Sequence, residues 1–340
     1  MKLHRYGLKS SYGFIIPHSS ELRSISSSNT YSIQAEWSQL RLDQKAWENC
    51  HCFYELGLGA EYTDFGNPVV LGAASNLYFF IEPYLKYNQK IFSTFRVGIG
   101  VNYLSQVYDS ISNPENLFFS RPISLLLFTG LSLHYQISEK ISMSLDGHYK
   151  HISNGGVKQP NKGMNFAALG LSINYRPENT KWPEFERQSS HNNKAQYYLG
   201  IFGSMRTAKA DSLHPDQRSA MLGIQTGVVK PLTHLNAVGL GAELSYNGNY
   251  RIEGRRGANT SPLIVSPMLQ HHFFIGRVNF SQQLGIYLYH QHSHRPDRLL
   301  FQRYALNYIF KSGWYIGGSL KAHAHVAEHM VIQTGYFFLR

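Results

Sequence analysis

Asp146-Gly147-His148-Tyr149-Lys150-His151-Ile152-Ser153-Asn154-Gly155-Gly156, continuing Val157-Lys158-Gln159-Pro160-Asn161-Lys162-Gly163-Met164-Asn165, runs from an alternating segment into a glycine-rich turn. Taken backwards from Ser153 in steps of two, one side carries Ile141, Met143, Leu145, Gly147, Tyr149, His151 and Ser153. The other carries Ser142, Ser144, Asp146, His148 and Lys150. Side chains alternate across a strand, so this is a strand with one apolar and one polar face. His151 and Ser153 close the apolar face, and the imidazole can reach toward the hydroxyl. A turn rich in backbone amides follows. Two readings stand side by side: a serine nucleophile and its base presented to lipid, or the polar start of an ordinary loop at a membrane boundary.

The rest of the chain has the same texture. Aromatic residues make up 14% of the 340, with 23 Tyr and 20 Phe, while charged residues make up 16%. Short alternating segments broken by Asn, Gly, Pro and Ser indicate an all-β protein. No apolar run approaches the roughly 20 residues of a membrane helix. A barrel needs none, because every second residue faces lipid, and a mean hydropathy of -0.29 is compatible with one.

The formal charge of +11 comes without a recognition helix, zinc spacing or RNA-binding aromatic motif, so nucleic acid is not the expected partner. A surface of phosphorylated lipid suits a basic protein as well. No metal or other cofactor is implied. Cys50 and Cys52, the only cysteines, would be poorly placed for a disulfide if they shared one strand, and with His51 on the opposite face they make a poor metal clip. They read as structural. The first residues lack the apolar segment of an export signal, so the numbering is expected to describe a mature or trimmed chain.

Candidate strands fall near 6–16, 30–41, 51–64, 75–87, 92–104, 120–136, 141–153 and 164–176. In the fifth, Phe95, Val97, Ile99, Val101 and Tyr103 alternate with Thr94, Arg96, Gly98, Gly100 and Asn102. The third does the same, with glycine mixed among Glu55 and Glu61 on its polar side. Glycine beside charge suits a narrow lumen, where bulky groups need empty neighbours. Apolar outside and polar inside is the pattern of an outer-membrane antiparallel β-barrel. Eight strands put the connections after strands 1, 3, 5 and 7 on the outer side. His151 and Ser153 then lie at the outer rim.

A polar stretch without alternation, 178–195, reads as a periplasmic linker. Strands resume near 196–206, 218–230, 236–249, 261–273, 276–290, 302–310, 313–326 and 328–339. The second half repeats the first. Gly57-Leu58-Gly59-Ala60-Glu61 recurs as Gly239-Leu240-Gly241-Ala242-Glu243, and Pro83-Tyr84-Leu85 as Pro267-Met268-Leu269. Ser144-Leu145-Asp146-Gly147-His148 aligns with Ser319-Leu320-Lys321-Ala322-His323. Continued, that alignment sets Val326 opposite His151 and Glu328 opposite Ser153, so any such site is confined to the first half. The expected architecture is two tandem eight-stranded barrels, residues 1–177 and 196–340. A single 16-stranded barrel is the alternative.

Residues 1–177 resemble the lipid A 3-O-deacylase (PagL) family, also described as acyloxyacyl hydrolases. The resemblance rests on His151, Ser153, Asn154, Gly155, Gly156, Pro160 and Asn161, on a penultimate strand before a closing strand. It implies an eight-stranded barrel of the bacterial outer membrane that hydrolyses the 3-O-linked acyl ester of lipid A. Ser153 would be the nucleophile and His151 the general base. Lipid A, or lipopolysaccharide of the outer leaflet, would be the partner, and the sequence is also compatible with a homodimer.

Ester hydrolysis needs an activated hydroxyl and donors for the developing oxyanion. Asn154, Gly155, Gly156 and Asn161 are the candidate donors, although the glycines equally suit simple turn geometry. Lys158 and Lys162 are either contacts for lipid phosphates or solvated loop charges. Where the family carries a glutamate that orients the histidine, this chain has Asn165. A neutral amide fixes the ring's tautomer without stabilising imidazolium. The competing expectations are a porin-like or structural barrel with a watery lumen, and a lipid-binding barrel without turnover.

Overall fold

The computed structural model describes residues 2–186, 194–208, 211–288, 299–323 and 326–338. Residues 187–193 of the expected linker lie outside them, as do 289–290, 324–325 and 339–340, which include parts of three expected strands.

The alternating pattern folds as its period requires. In the first unit, β1 (Lys2–Ile16), β2 (Asn29–Arg41), β3 (Tyr54–Asp64), β4 (Ala73–Lys86), β5 (Ile91–Leu104), β6 (Ile123–Gln136), β7 (Ile141–Ser153) and β8 (Met164–Tyr175) pair antiparallel in sequence order, and β8 closes on β1. In the second, β9 (Gln196–Ala208), β10 (Gln217–Pro231), β11 (Asn236–Asn247), β12 (Leu263–Ile275), β13 (Val278–Ile286), β14 (Leu300–Ile309), β15 (Trp314–His323) and β16 (Val326–Phe338) do the same, with β16 closing on β9. The chain divides into compact units 1–186 and 187–340. Two barrels of eight are formed, and not one of sixteen.

Leu8, Tyr12, Ile33, Leu77, Ile99, Leu133 and Leu171 are exposed on the outside of the first barrel, and Leu199, Ile224, Leu240, Leu269 and Ile332 on the second. Such belts of apolar side chains suit lipid and would be costly in water. Inside the first barrel Arg5 bonds Glu55 at 2.6 Å and Glu82 at 2.8 Å, Arg96 bonds Glu82 at 2.6 Å, and Lys150 bonds Glu61. Burying these charges is tolerated because each meets an opposite one. The glycines make room for the large groups: a Cβ on Gly57 would stand 2.2 Å from the Phe80 ring, and one on Gly59 2.3 Å from Tyr78.

The space between Lys9, Tyr78, Arg96 and Lys150 measures about 20 Å³, room for a single water molecule. Phe65, Phe118, Phe119, Ile152, Met164 and Phe166 pack together at the loop end. A porin-like watery lumen is not what these side chains build in the first barrel. The second barrel has a matching interior, with Arg303 and Lys321 both on Glu243, and Lys321 at 2.8 Å.

Three departures from the sequence reading have local causes. The strand expected over 51–64 begins only at Tyr54, because 44–50 form a short helix, α1 (Gln44–Cys50), capped by the Asp43 carboxylate accepting from the Ala46 N–H at 3.0 Å. His51 then turns left-handed, with φ 50°. Cys50 and Cys52 are therefore not on a strand, and they form a disulfide with Cα atoms 5.0 Å apart.

A second helix, α2 (Gly248–Arg255), begins where the eleventh strand was expected to continue. Finally, Val326 and Glu328 are not the spatial counterparts of His151 and Ser153. β15 ends at His323, and both residues belong to the returning strand β16.

Candidate active site

His151 and Ser153 take the outward positions at the end of β7, while their neighbours Lys150 and Ile152 are buried inward. Asn165 lies directly across from His151 on β8. The His151 Nδ1 and Asn165 Oδ1 are 2.6 Å apart. With Oδ1 as acceptor, Nδ1 carries the proton and the lone pair sits on Nε2, the form a general base requires.

The loop 154–163 folds back over the hydroxyl. The Gly155 N–H donates to Ser153 Oγ at 3.1 Å, and Asn161 Nδ2 donates to the same oxygen at 3.0 Å. Asn161 has its orientation fixed from the other side. The Asn154 N–H, which can only donate, meets Asn161 Oδ1 at 3.2 Å, so the amino group must face the serine. No hydrogen bond joins His151 to Ser153 directly among the described residues. The hydroxyl proton of Ser153 is not needed by either donor and is free to turn toward a base.

Of the residues singled out from sequence, His151, Ser153, Asn165, Gly155 and Asn161 share this cluster. Asn154 and Gly156 have other work. Asn154 Nδ2 donates to Ser120 Oγ and to the Lys158 carbonyl, both at 3.0 Å, and its Oδ1 accepts from the Gly156 N–H at 2.9 Å. That closes the loop upon itself and leaves neither group facing Ser153. Lys162 pairs with Glu21 at 3.0 Å.

Two contributors escaped the sequence reading. Ser120 anchors the loop from 34 residues away. Gly163, at φ 69°, lies where a Cβ would stand 3.0 Å from His151 Cε1 and 3.4 Å from Ser153 Cβ. A glycine just before a strand was the available signal for such a left-handed, close-approach position. Among the described residues, no three histidine, cysteine or carboxylate side chains are arranged to hold a metal ion.

The belts, the filled lumen and the outward-facing row at the rim define an integral β-barrel of the outer membrane. Residues 30–174 match the lipid A 3-O-deacylase (PagL) family, and residues 195–340 match the acyloxyacyl hydrolase C-terminal domain, so each barrel is accounted for. The first barrel belongs to the lipid A 3-O-deacylase (PagL) family, a family of ester hydrolases.

Among solved structures, it is similar to the outer membrane enzyme PagL at 18% identity, covering 49% of this chain and 97% of that one with a TM-score of 0.36. It is also similar to Neisserial surface protein A at 10% identity, covering 51% and 96% with a TM-score of 0.34. A mutant of the porin from Rh. blastica matches at 11% identity over 99% of this chain and 100% of that one, with a TM-score of 0.22. No curated protein matches the chain.

Proposed function

We propose that the first barrel hydrolyses the 3-O-linked acyl ester of lipid A at the outer-leaflet rim, with Ser153 as nucleophile and His151 as general base. The observation that carries this reading is the row Asn165–His151–Ser153 on the lipid-facing side, with two N–H donors converging on the serine oxygen.

His151 Nε2 takes the hydroxyl proton as Ser153 Oγ attacks the ester carbonyl. The resulting tetrahedral oxyanion forms beside Oγ, within reach of the Gly155 N–H and the second hydrogen of the Asn161 amide. His151 then returns the proton to the departing sugar oxygen, and water repeats the cycle to free the fatty acid. Asn165 holds the ring in its productive tautomer but cannot stabilise imidazolium as a carboxylate would. The chemistry is therefore expected to be slow relative to a carboxylate-assisted site, and not absent.

Below His151 on the same face lies Gly147, where an added Cβ would meet only Leu169 Cδ2 at 3.7 Å. Glycine costs a strand stability and this one has no packing reason. An open position beneath the nucleophile suits a substrate whose fatty chain lies along the barrel wall. The second barrel has only two residues of sequence at the corresponding connection, between His323 and Val326, and serves as a scaffold or a lipopolysaccharide-holding platform.

Mass spectrometry of lipid A from cells expressing the chain or its Ser153→Ala variant tests the proposal. Loss of one 3-hydroxyacyl group with the parent alone supports it. Unchanged lipid A with a folded, inserted parent overturns it in favour of lipid binding without turnover.

A further inference from the structure

At the opposite end of the first barrel, where the short turns lie, the chain does not simply leave after β8. The Arg176 N–H donates to the Lys140 carbonyl at 2.8 Å, and the Arg176 guanidinium bonds Thr180 at 2.9 Å and Glu55 at 2.6 Å. Glu178 accepts from the His4 N–H at 3.2 Å, and Asn179 donates to Glu139 at 2.6 Å. Trp182 packs on Tyr84 and Tyr87, at 5.2 and 5.0 Å between ring centres. The segment 176–182 is thus tied down across the mouth, yet it leaves a recess of about 610 Å³ beside it. Close packing is the rule where a segment serves only to seal. A recess of this size falls within the range of small-molecule sites, roughly 300–1,000 Å³.

The walls say what would fit. Arg5 and Arg176 face the recess, but Glu55 and Glu82 already answer them. Lys90, Lys140 and Lys181 have no carboxylate partner among the described residues, although the Lys90 ammonium lies 5.1 Å from the centre of the Tyr135 ring, and Glu139 is the one acidic side chain on the wall. Between these charges stand the amides of Asn88 and Gln89 and the side-chain oxygen of Gln136, whose amino group already donates to the Ser138 carbonyl at 2.6 Å. Amides both donate and accept, as sugar hydroxyls require of their partners. Phe92, stacked on His134 at 4.5 Å, adds a flat apolar surface.

We infer that this recess binds an acidic saccharide, a sugar chain bearing carboxylates, on the periplasmic side of the membrane. The lysines take the carboxylates and the amides take the hydroxyls. The site lies at the far end of the barrel from Ser153 and stands independently of the deacylase reading.

The test compares two disaccharides on the full chain in detergent micelles by calorimetry. One is N-acetylglucosaminyl-N-acetylmuramic acid. The other is di-N-acetylchitobiose, which lacks the lactyl carboxylate. The acidic sugar is expected to bind about tenfold more tightly, with an advantage that shrinks as salt screens the exposed charges. Lys90→Ala/Lys140→Ala/Lys181→Ala should lose that advantage, while Lys45→Ala/Lys86→Ala, which removes two exposed charges that do not line the recess, should keep it. Equal binding of both sugars, no binding of either, or an unchanged triple variant overturns the inference. So does displacement of the acidic sugar by an equal concentration of inorganic phosphate, since the recess would then be an anion site without sugar selectivity.

Discussion

The two barrels are built alike and end differently. In each, an inward glutamate from the third strand meets a lysine from the seventh: Glu61 with Lys150, and Glu243 with Lys321. In each, glycines lie under interior rings, as Gly57 does beneath Phe80 and Gly223 beneath Phe202. The seventh connection separates them. In the first barrel ten residues, 154–163, fold back over Ser153. In the second, only two residues of sequence separate His323 from Val326. The polar groups nearest that connection turn toward one another: Glu328 lies 3.4 Å from Arg206 and 3.4 Å from His329. A barrel of this kind is a frame that holds whichever loop it is given. The chemistry proposed for the first barrel rests on that loop and on three outward positions beside it.

The sharpest way to break the contrast is to remove the proposed nucleophile. Ser153→Ala or His151→Ala should each lower deacylation by roughly a thousandfold or more, and the double variant should be no worse than either, because the two act as a unit. Mass spectrometry of lipid A reads this directly. Cleavage persisting in Ser153→Ala would mean that the first loop is not the site, and the contrast between the barrels would lose its meaning. Next in size is the loop's amide. Asn161→Ala should cost about a hundredfold in rate, the usual loss for one oxyanion donor. Asn161→Asp, similar in shape but unable to donate, should cost at least as much. A variant aspartate as active as the parent would show that Asn161 only shapes the loop.

Much of this contrast was legible before the structure, and the reason is periodicity. The two-residue repeat through Ile141, Leu145 and Tyr149 put His151 and Ser153 on the lipid face, and the parity of Ala167 and Leu169 put Asn165 beside them. The repeated Gly-Leu-Gly-Ala-Glu marked the same inward glutamate in both halves. What was not legible depends on contacts between distant parts of the chain. Asn154 looked as good an oxyanion donor as Asn161, and only its bonds to Ser120 and the Lys158 carbonyl remove it. The disulfide was missed because a seven-residue helix, set by the Asp43 cap, displaced the strand on which Cys50 and Cys52 would have been splayed.

Asn165 offers a smaller and opposite effect. Asn165→Asp places a carboxylate on the protonated edge of the imidazole. It should raise the rate by roughly tenfold, since the imidazolium formed during attack then meets a negative charge. Initial rates on lipid A in micelles would show it. An unchanged rate would mean that holding the tautomer is all this position contributes, and that the amide is no handicap.

The smallest expected effect sharpens the contrast most finely, because it separates what a barrel needs from what a substrate needs. Gly57 and Gly59 cannot accept a side chain without displacing an interior ring, so their glycines belong to the frame. Gly147 faces out, with only a leucine methyl at ordinary contact distance. Gly147→Val should therefore leave the barrel folded and stabilise it by about 0.5–1 kcal/mol, as removing a glycine from a strand does. The same branch would stand in the path of a fatty chain lying roughly 13 Å below His151, at about 3.3 Å of rise per residue. Rates on long acyl chains should fall about three- to tenfold relative to short ones, less than the roughly 10–200-fold that one methylene gives in an enclosed pocket, because the barrel wall is open on its lipid side. A uniform change across chain lengths would place the acyl chain elsewhere on the wall. A valine variant that fails to fold would assign Gly147 to the frame after all.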